Sequence, residues 1–190
     1  DIPFDQSINP YRGCEHGCVY CYARPSHAFL DLSPGLDFES RLFAKPNAAT
    51  LLVQEIARKG HVPTPIAFGT NTDPYQPIEG RYHITRQCLD VLAEAKHPVT
   101  ITTKSDRVLA DLDVLAEMAK QGLAAVAISV TSLEPATHRT LEPRAPSPAK
   151  RLAAIRKLTA AGIPTHISVS PLLPAINDQE LEAILSAGAE

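Results

Sequence analysis

Residues 99–132 read VTITTKSDRVLADLDVLAEMAKQGLAAVAISVTS. The first six, VTITTK, are rich in β-branched residues and read as a strand. Ser105 and Asp106 supply helix caps. Val108, Leu109, Leu112 and Leu115 then recur at helical spacing, which predicts a helix turning these residues inward. Gly122 follows its end, and AAVAISVTS (124–132) is another apolar strand. Strand, helix and strand in succession form the unit from which parallel sheets are built.

The rhythm continues in both directions. Upstream, PIAFGT (65–70) reads as a buried strand, and ITRQCLDVLAEAK (84–96) places Ile84, Cys88, Leu89 and Leu92 on one helical stripe. Further back, Asn47 is a candidate cap for a helix with Leu51, Leu52 and Ile56 inward and Gly60 as its stop. SINPY (7–11) reads as one more strand. Downstream, Ser147-Pro148 is a cap and first-turn pair for a helix carrying Leu152, Ile155 and Leu158, closed by Gly162. PTHISVSPLL (164–173) is the next strand, and Asn177-Asp178 opens a last helix. Strands apolar on both faces, alternating with helices, predict an α/β fold in which helices cover parallel strands. Four clear units and one at the N-terminal end suit an open or closed β/α barrel better than a short doubly wound sheet. In such barrels chemistry sits on loops at the C-terminal ends of strands. The segments there are the cysteine-rich stretch 9–24, GTNTDP, TKSD and TSLEP.

The chain has 190 residues, 44% of them hydrophobic and 21% charged, as expected of one globular domain spanning 1–190. A net charge of −3 gives no bulk attraction to nucleic acid or anionic membrane. No stretch approaches the roughly 20 apolar residues that span a bilayer. The N-terminal DIPFDQSINP shows no basic region followed by an apolar run, so no signal peptide is read there, and both ends read as clipped. Three of the four cysteines are clustered and Cys88 stands apart on an apolar stripe, where it reads as a core thiol. A disulfide framework would spread them out. A reducing, cytoplasmic compartment and metal ligation are expected instead.

The clustered cysteines lie in NPYRGCEHGCVYCY (9–22), with spacing C-x3-C-x2-C. Thiolates suit iron–sulfur clusters and zinc. A cubic 4Fe-4S cluster normally takes four cysteines. Cys14, Cys18 and Cys21 would leave one iron open for another ligand. Spacing this short calls for a loop, and Gly13 and Gly17 supply its freedom. The rival is structural zinc, with His16 or His27 as fourth ligand.

The motif, with an aromatic residue before its last cysteine at the front of a β/α chain, resembles the radical S-adenosylmethionine superfamily. The words NPYRGC, YCYAR, TNTDPYQPIE, TTKS and EPRAPSP resemble the subgroup related to spore photoproduct lyase. The resemblance covers nearly the whole chain. It implies a partial (β/α)6 TIM-like barrel, of which about five β/α units are visible, with the cluster loop at 9–24 and the units over 47–190. It also implies that Cys14, Cys18 and Cys21 bind a 4Fe-4S cluster whose open iron takes the amino and carboxylate groups of S-adenosylmethionine. Reductive cleavage would then give methionine and a 5′-deoxyadenosyl radical that abstracts hydrogen from a substrate. The implied electron donor is a reductant such as flavodoxin or ferredoxin; nucleic acid leads among the substrate classes, with a peptide or a small metabolite as the alternatives. No membrane partner is implied. Spore photoproduct lyase uses a cysteine near the second-strand loop, and GTNTDP has none, which sets lesion repair in doubt.

Site residues follow from the same resemblance. Tyr20 matches the aromatic position near the adenine, and Tyr22 is placed to shield the cluster; ordinary loop packing is the alternative for both. Thr72, in a loop with Thr70, Asn71 and Asp73, matches the location that meets the methionine amino group, although an Asp73-Pro74 turn explains the loop equally. Lys104 matches a lysine for the methionine carboxylate, and otherwise is a solvated residue before a helix cap. Ser129 matches a cofactor-contacting serine, or else bonds a neighbouring strand. Arg139 and Arg144 read first as partners of Glu134 or Glu142, and His166 as a satisfied barrel residue. Three functions compete: a radical enzyme, an iron–sulfur electron carrier, which needs a fourth cluster cysteine, and a zinc-stabilised nucleic-acid-binding module, which needs His16 or His27.

Overall fold

A computed structural model describes residues 4–189; the outermost positions of the expected domain, 1–3 and 190, lie outside the described residues. In chain order the elements are β1 (Gln6–Ile8), β2 (Tyr11–Arg12), α1 (Leu36–Ser40), β3 (Phe43–Ala44), α2 (Ala48–Ile56), β4 (Ile66–Phe68), α3 (Glu79–Tyr82), α4 (Ile84–Glu94), β5 (Val99–Thr103), α5 (Leu112–Ala119), β6 (Ala124–Ser129), α6 (Pro135–Leu141), α7 (Pro148–Ala160), β7 (Thr165–Ser168) and α8 (Leu181–Ala189). No helix among the described residues is long and apolar enough to cross a membrane.

Five strands form one parallel sheet in the order β1-β4-β5-β6-β7. This is the expected α/β architecture, a partial barrel with all five strands running one way. The C-terminal ends of the strands therefore lie on one rim, and the loops leaving them meet there.

The register sorts the strand residues into two faces. Ile66 pairs with Val99 and Phe68 with Ile101, and Val126 and Ile128 continue the row, all of them buried. Against this face pack Leu89 and Leu92 of α4, Leu115 and Met118 of α5, and Leu158 of α7. Each such side chain contributes roughly 1.5–3 kcal/mol by leaving water. The other face carries Thr100 and Thr102, exposed, then half-buried Ala125 and Ala127, and exposed His166. The strands are thus not apolar on both faces. Helices cover one face only, and the face turned away from them takes small and polar residues. His166, paired with Ala127, stands exposed on that second face rather than satisfied inside a barrel.

SINPY does not form one strand. β1 ends at Ile8 because Pro10 has no N–H for the ladder, and β2 restarts at Tyr11 in an antiparallel pair with β3. In α2 the inward stripe is Ala48, Leu52 and Ile56, four residues apart, so Leu51 is exposed. Ser105 caps, accepting from the Arg107 N–H, but what it caps is a 3-10 segment, Asp106–Asp111, that carries Val108 and Leu109 and precedes α5. Asn177 does not cap. It is fully buried, and its amide donates to the carbonyls of Thr131 (2.7 Å) and Pro171 (3.0 Å).

Candidate active site

The rim loops enclose a cavity of about 410 Å³, within the usual range for small-molecule sites. Cys14, Cys18 and Cys21 all line it. So do Tyr20, Tyr22, Thr72, Lys104 and Ser129, contributed by the cysteine loop and by the ends of β4, β5 and β6. The three cysteines and the five residues matched to cofactor contacts therefore converge on one space. The sequence reading missed Ser168 and Ser170, at the end of β7, which also line it. Their signal was the alternation in HISVS, which puts both serines on the face that Ser129 shares through the Ser129–Ser168 pairing.

The cysteine loop is fixed by its neighbours' hydrogen bonds. The Cys14 N–H donates to the Phe38 carbonyl at 2.9 Å. Gln76 bonds the loop twice, accepting from the Glu15 N–H and donating to the Gly13 carbonyl, both at 3.0 Å. Arg24 donates to the Cys18 carbonyl through Nε (3.1 Å) and Nη2 (2.9 Å). Gly17 turns the loop at φ +69°, and a Cβ there would lie 2.7 Å from Arg144 Cζ. Both a left-handed conformation and a close approach thus call for glycine. On the opposite wall Asn9 organises the 70–72 turn: its Oδ1 accepts from the N–H groups of Asn71 (2.9 Å) and Thr72 (3.3 Å). The Thr72 hydroxyl donates to the Tyr11 carbonyl at 3.0 Å, which orients this residue at the cavity wall.

Asp73 links three elements. Its carboxylate accepts from Thr103 Oγ1 (2.6 Å), the Tyr75 N–H (2.9 Å) and the Lys104 N–H (2.7 Å). His16 Nδ1 stands 3.4 Å from the same carboxylate, near enough for attraction but without the alignment of a hydrogen bond. Burial pushes His16 towards its neutral form, against the pull of Asp73. Burial also pushes the Cys14 thiol up to about 12 and the Cys18 thiol up to about 11, with Lys104 opposing the rise at Cys18. Thiols held protonated this way become ligands only when a metal displaces the proton.

Tyr20 points its hydroxyl at the Glu142 carboxylate and stands 3.3 Å from Thr131 Oγ1, while Lys104 Nζ lies 5.7 Å from the centre of its ring. Burial and the Glu142 charge raise the Tyr20 phenol well above its ordinary value. Tyr22 is 77% exposed, and its hydroxyl meets the Thr70 carbonyl across the mouth of the cavity. Glu142 itself is buried against Arg151, and Arg151 also donates to the Ser129 carbonyl at 2.9 Å. Burial alone would raise the Glu142 carboxyl; the His138 hydrogen bond and the Arg151 and Lys104 charges hold it well below the usual carboxylate range. Arg144 does not pair with Glu134 or Glu142 as expected but with Glu39. Arg139 is exposed.

The donor set, three thiols on one short loop facing one cavity, suits a thiolate-bound metal centre. Among the described residues no three His, Cys, Asp or Glu side chains are gathered closely enough to hold a metal ion as they stand. His27, one candidate fourth zinc ligand, is fully buried, bonds the Arg41 carbonyl through Nε2 at 3.0 Å and packs edge-on to Phe38.

Comparison with known proteins agrees with this arrangement. The chain is 41% identical over 194 residues to the uncharacterized protein Rv2578c of Mycobacterium tuberculosis, covering 99% of this chain and 57% of the relative. It is 30% identical over 173 residues to the uncharacterized protein MJ0683 of Methanocaldococcus jannaschii, covering 91% of this chain and 62% of that one. The chain thus spans little more than half the length of these relatives. Among solved structures its fold resembles a spore photoproduct lyase complexed with dinucleoside spore photoproduct, with a TM-score of 0.65 at 20% identity over 92% of this chain and 50% of the lyase. It also resembles SuiB of Streptococcus suis bound to S-adenosylmethionine, with a TM-score of 0.63 at 17% identity over 97% of this chain and 36% of SuiB. The profile of the Radical SAM superfamily matches residues 8–187, and with the cysteine loop on the rim of a five-stranded parallel sheet, the chain belongs to that superfamily.

Proposed function

We propose that this chain is the core of a radical S-adenosylmethionine enzyme in which Cys14, Cys18 and Cys21 hold a 4Fe-4S cluster. The carrying observation is that these three thiols open onto the same cavity as Lys104 and Ser129. When bound, the cluster supplies the electron that splits S-adenosylmethionine into methionine and a 5′-deoxyadenosyl radical competent for hydrogen abstraction. The chain's own residues place and enclose that chemistry. Lys104 offers an ammonium to the methionine carboxylate. Tyr20 and Ser129 would contact the bound cofactor, and Thr72, held by Tyr11 and Asn9, would meet its amino group. Tyr22 bridges to the Thr70 carbonyl and narrows the mouth. The electron donor in this reading is a small reductant such as flavodoxin or ferredoxin, and the setting is a reducing cytoplasm that keeps the cysteines out of disulfides.

The substrate class proposed is a nucleic-acid component, supported by the fold likeness to a lyase solved with a dinucleoside photoproduct. GTNTDP carries no cysteine, which favours a different hydrogen-abstraction reaction over photoproduct repair itself. The test is anaerobic reconstitution with iron and sulfide, reduction, and addition of S-adenosylmethionine. The expected products are 5′-deoxyadenosine and methionine. A fully loaded, reduced cluster that yields neither would overturn the assignment. Single Cys→Ala changes at 14, 18 and 21 should each abolish retention of a 4Fe-4S cluster.

A further inference from the structure

Segment 141–144, Leu-Glu-Pro-Arg, lies outside the cysteine motif by more than a hundred residues, yet it runs along the cysteine loop and grips it at four points. The Leu141 carbonyl accepts from the Val19 N–H at 3.0 Å. The Glu142 carboxylate takes the Tyr20 hydroxyl. The Arg144 N–H donates to the His16 carbonyl at 3.2 Å, and Arg144 Nε donates to the Glu15 carbonyl at 2.6 Å. The far end of Arg144 reaches Glu39, which also binds Arg24, and Arg24 in turn holds the Cys18 carbonyl. Glu15, His16, Val19 and Tyr20 are thus met directly, and Cys18 through Glu39 and Arg24. Gly17 lies under the Arg144 guanidinium, where a side chain would collide.

The segment is anchored from behind. Glu142 and Arg151 are each 1% exposed and paired. Arg151 donates to the Pro146 carbonyl at 2.8 Å and to the Ser129 carbonyl at 2.9 Å, and His138 Nδ1 lies 3.4 Å from Glu142. Glu142 therefore touches the cysteine loop on one side and, through Arg151, the end of β6 on the other. A buried carboxylate this fully engaged is a rigid joint, because loss of its charge partner Arg151 would leave a buried charge unpaired.

We propose that segment 141–144 is a positioning strap for the cysteine loop: Glu142 sets Tyr20, and Arg144 sets the Glu15–His16 turn, so that Cys14, Cys18 and Cys21 are held at fixed places relative to the Ser129 wall of the cavity. None of its residues is a metal ligand. They act through the loop, as outer partners act on ligands in metal sites. This inference rests on the cluster reading above.

The test compares wild type with Tyr20→Phe and Arg144→Ala, neither of which leaves a buried charge behind, and with Thr140→Ala as an exposed control one position from the strap. Each protein is reconstituted anaerobically. Its cluster loss to a chelator is timed, the electron paramagnetic resonance spectrum of the reduced cluster is recorded, and the melting of the metal-free form is measured. The strap predicts chelator loss about tenfold faster and an altered cluster spectrum in both variants, with metal-free melting unchanged and the control unaffected. Chelation rates and spectra equal to wild type would overturn the strap while leaving the cluster assignment intact. Faster loss matched by an equal fall in metal-free stability would also overturn it, since the effect would then be general. A wild type that takes up no iron–sulfur cluster would overturn both.

Discussion

Gly69 follows the last residue of β4 with φ +83°, and a Cβ built there lands on the Thr102 carbonyl oxygen and 3.0 Å from its carbon. The left-handed conformation alone disfavours an L side chain by about 1–2 kcal/mol. Here the obstacle is backbone of the adjacent strand, which cannot rotate away. Gly69→Ala should therefore lower stability by more than about 2 kcal/mol and shift the GTNTDP wall, read as an earlier urea midpoint with unchanged slope. A midpoint within error of wild type would show that β4 and β5 are not this close. At the same scale the site was legible where chemistry is local: three thiols in eight residues announce a metal by themselves. Arg151 was illegible. On a helix in RLAAIRKL it looks like a solvated face, and only the fold, by placing Glu142 and the Ser129 carbonyl beside it, makes it a fully buried cation.

Between elements, the joint at Glu142 holds together the end of α6, the start of α7 and the cysteine loop. Its depressed carboxyl means that the folded state binds this proton less readily than the unfolded chain. The stabilisation is then fully present above the unfolded carboxyl value of about 4.3 and is lost as the pH falls below it. Glu142→Gln removes the charge and leaves the buried Arg151 cation with neutral acceptors only. We expect it to destabilise by about 3 kcal/mol at neutral pH, with the gap from wild type narrowing as the pH drops to about 3. Urea unfolding at both pH values checks this, and a gap of constant size would mean that Glu142 is not held ionised. α6 itself escaped sequence reading, in which TSLEP stood only as a loop at the end of a strand. Its start is nevertheless marked: Glu134 accepts from the Ala136 N–H at 3.3 Å and Pro135 fills the first turn. α4, β5, β6 and α7 were legible from their periods, although the side chain of Ser147, the expected cap of α7, makes no capping hydrogen bond. The break at Asn9-Pro10 is marked by Pro10, which has no N–H for the ladder, but not the use of the freed Asn9 side chain, which bonds the 70–72 turn.

For the molecule as a whole, the apolar residues fall into two separate clusters. The large one joins the sheet to α2, α4, α5 and α7, and holds Phe68, Ile101, Val126, Leu89 and Leu158. The small one contains only Cys14, Ala23 and Phe38, with Cys21 packed against it. A cluster of that size contributes little burial, so the cysteine loop depends on polar ties and, in the proposed holoprotein, on its bonds to iron. Metal binding to such a loop is local folding free energy. Hydrogen exchange should report the division. When the cluster is removed anaerobically, amides of residues 13–24 should exchange about tenfold or more faster, while those of β5 and β6 change by less than about twofold, because their protection follows opening of the large core. Loop opening without sheet opening would also mean that the cofactor cavity loses one wall while its β4, β5 and β6 walls persist, so that reconstitution needs no refolding. If the sheet amides accelerate as much as the loop, the two clusters form one cooperative unit, and the iron centre is part of what holds the barrel together.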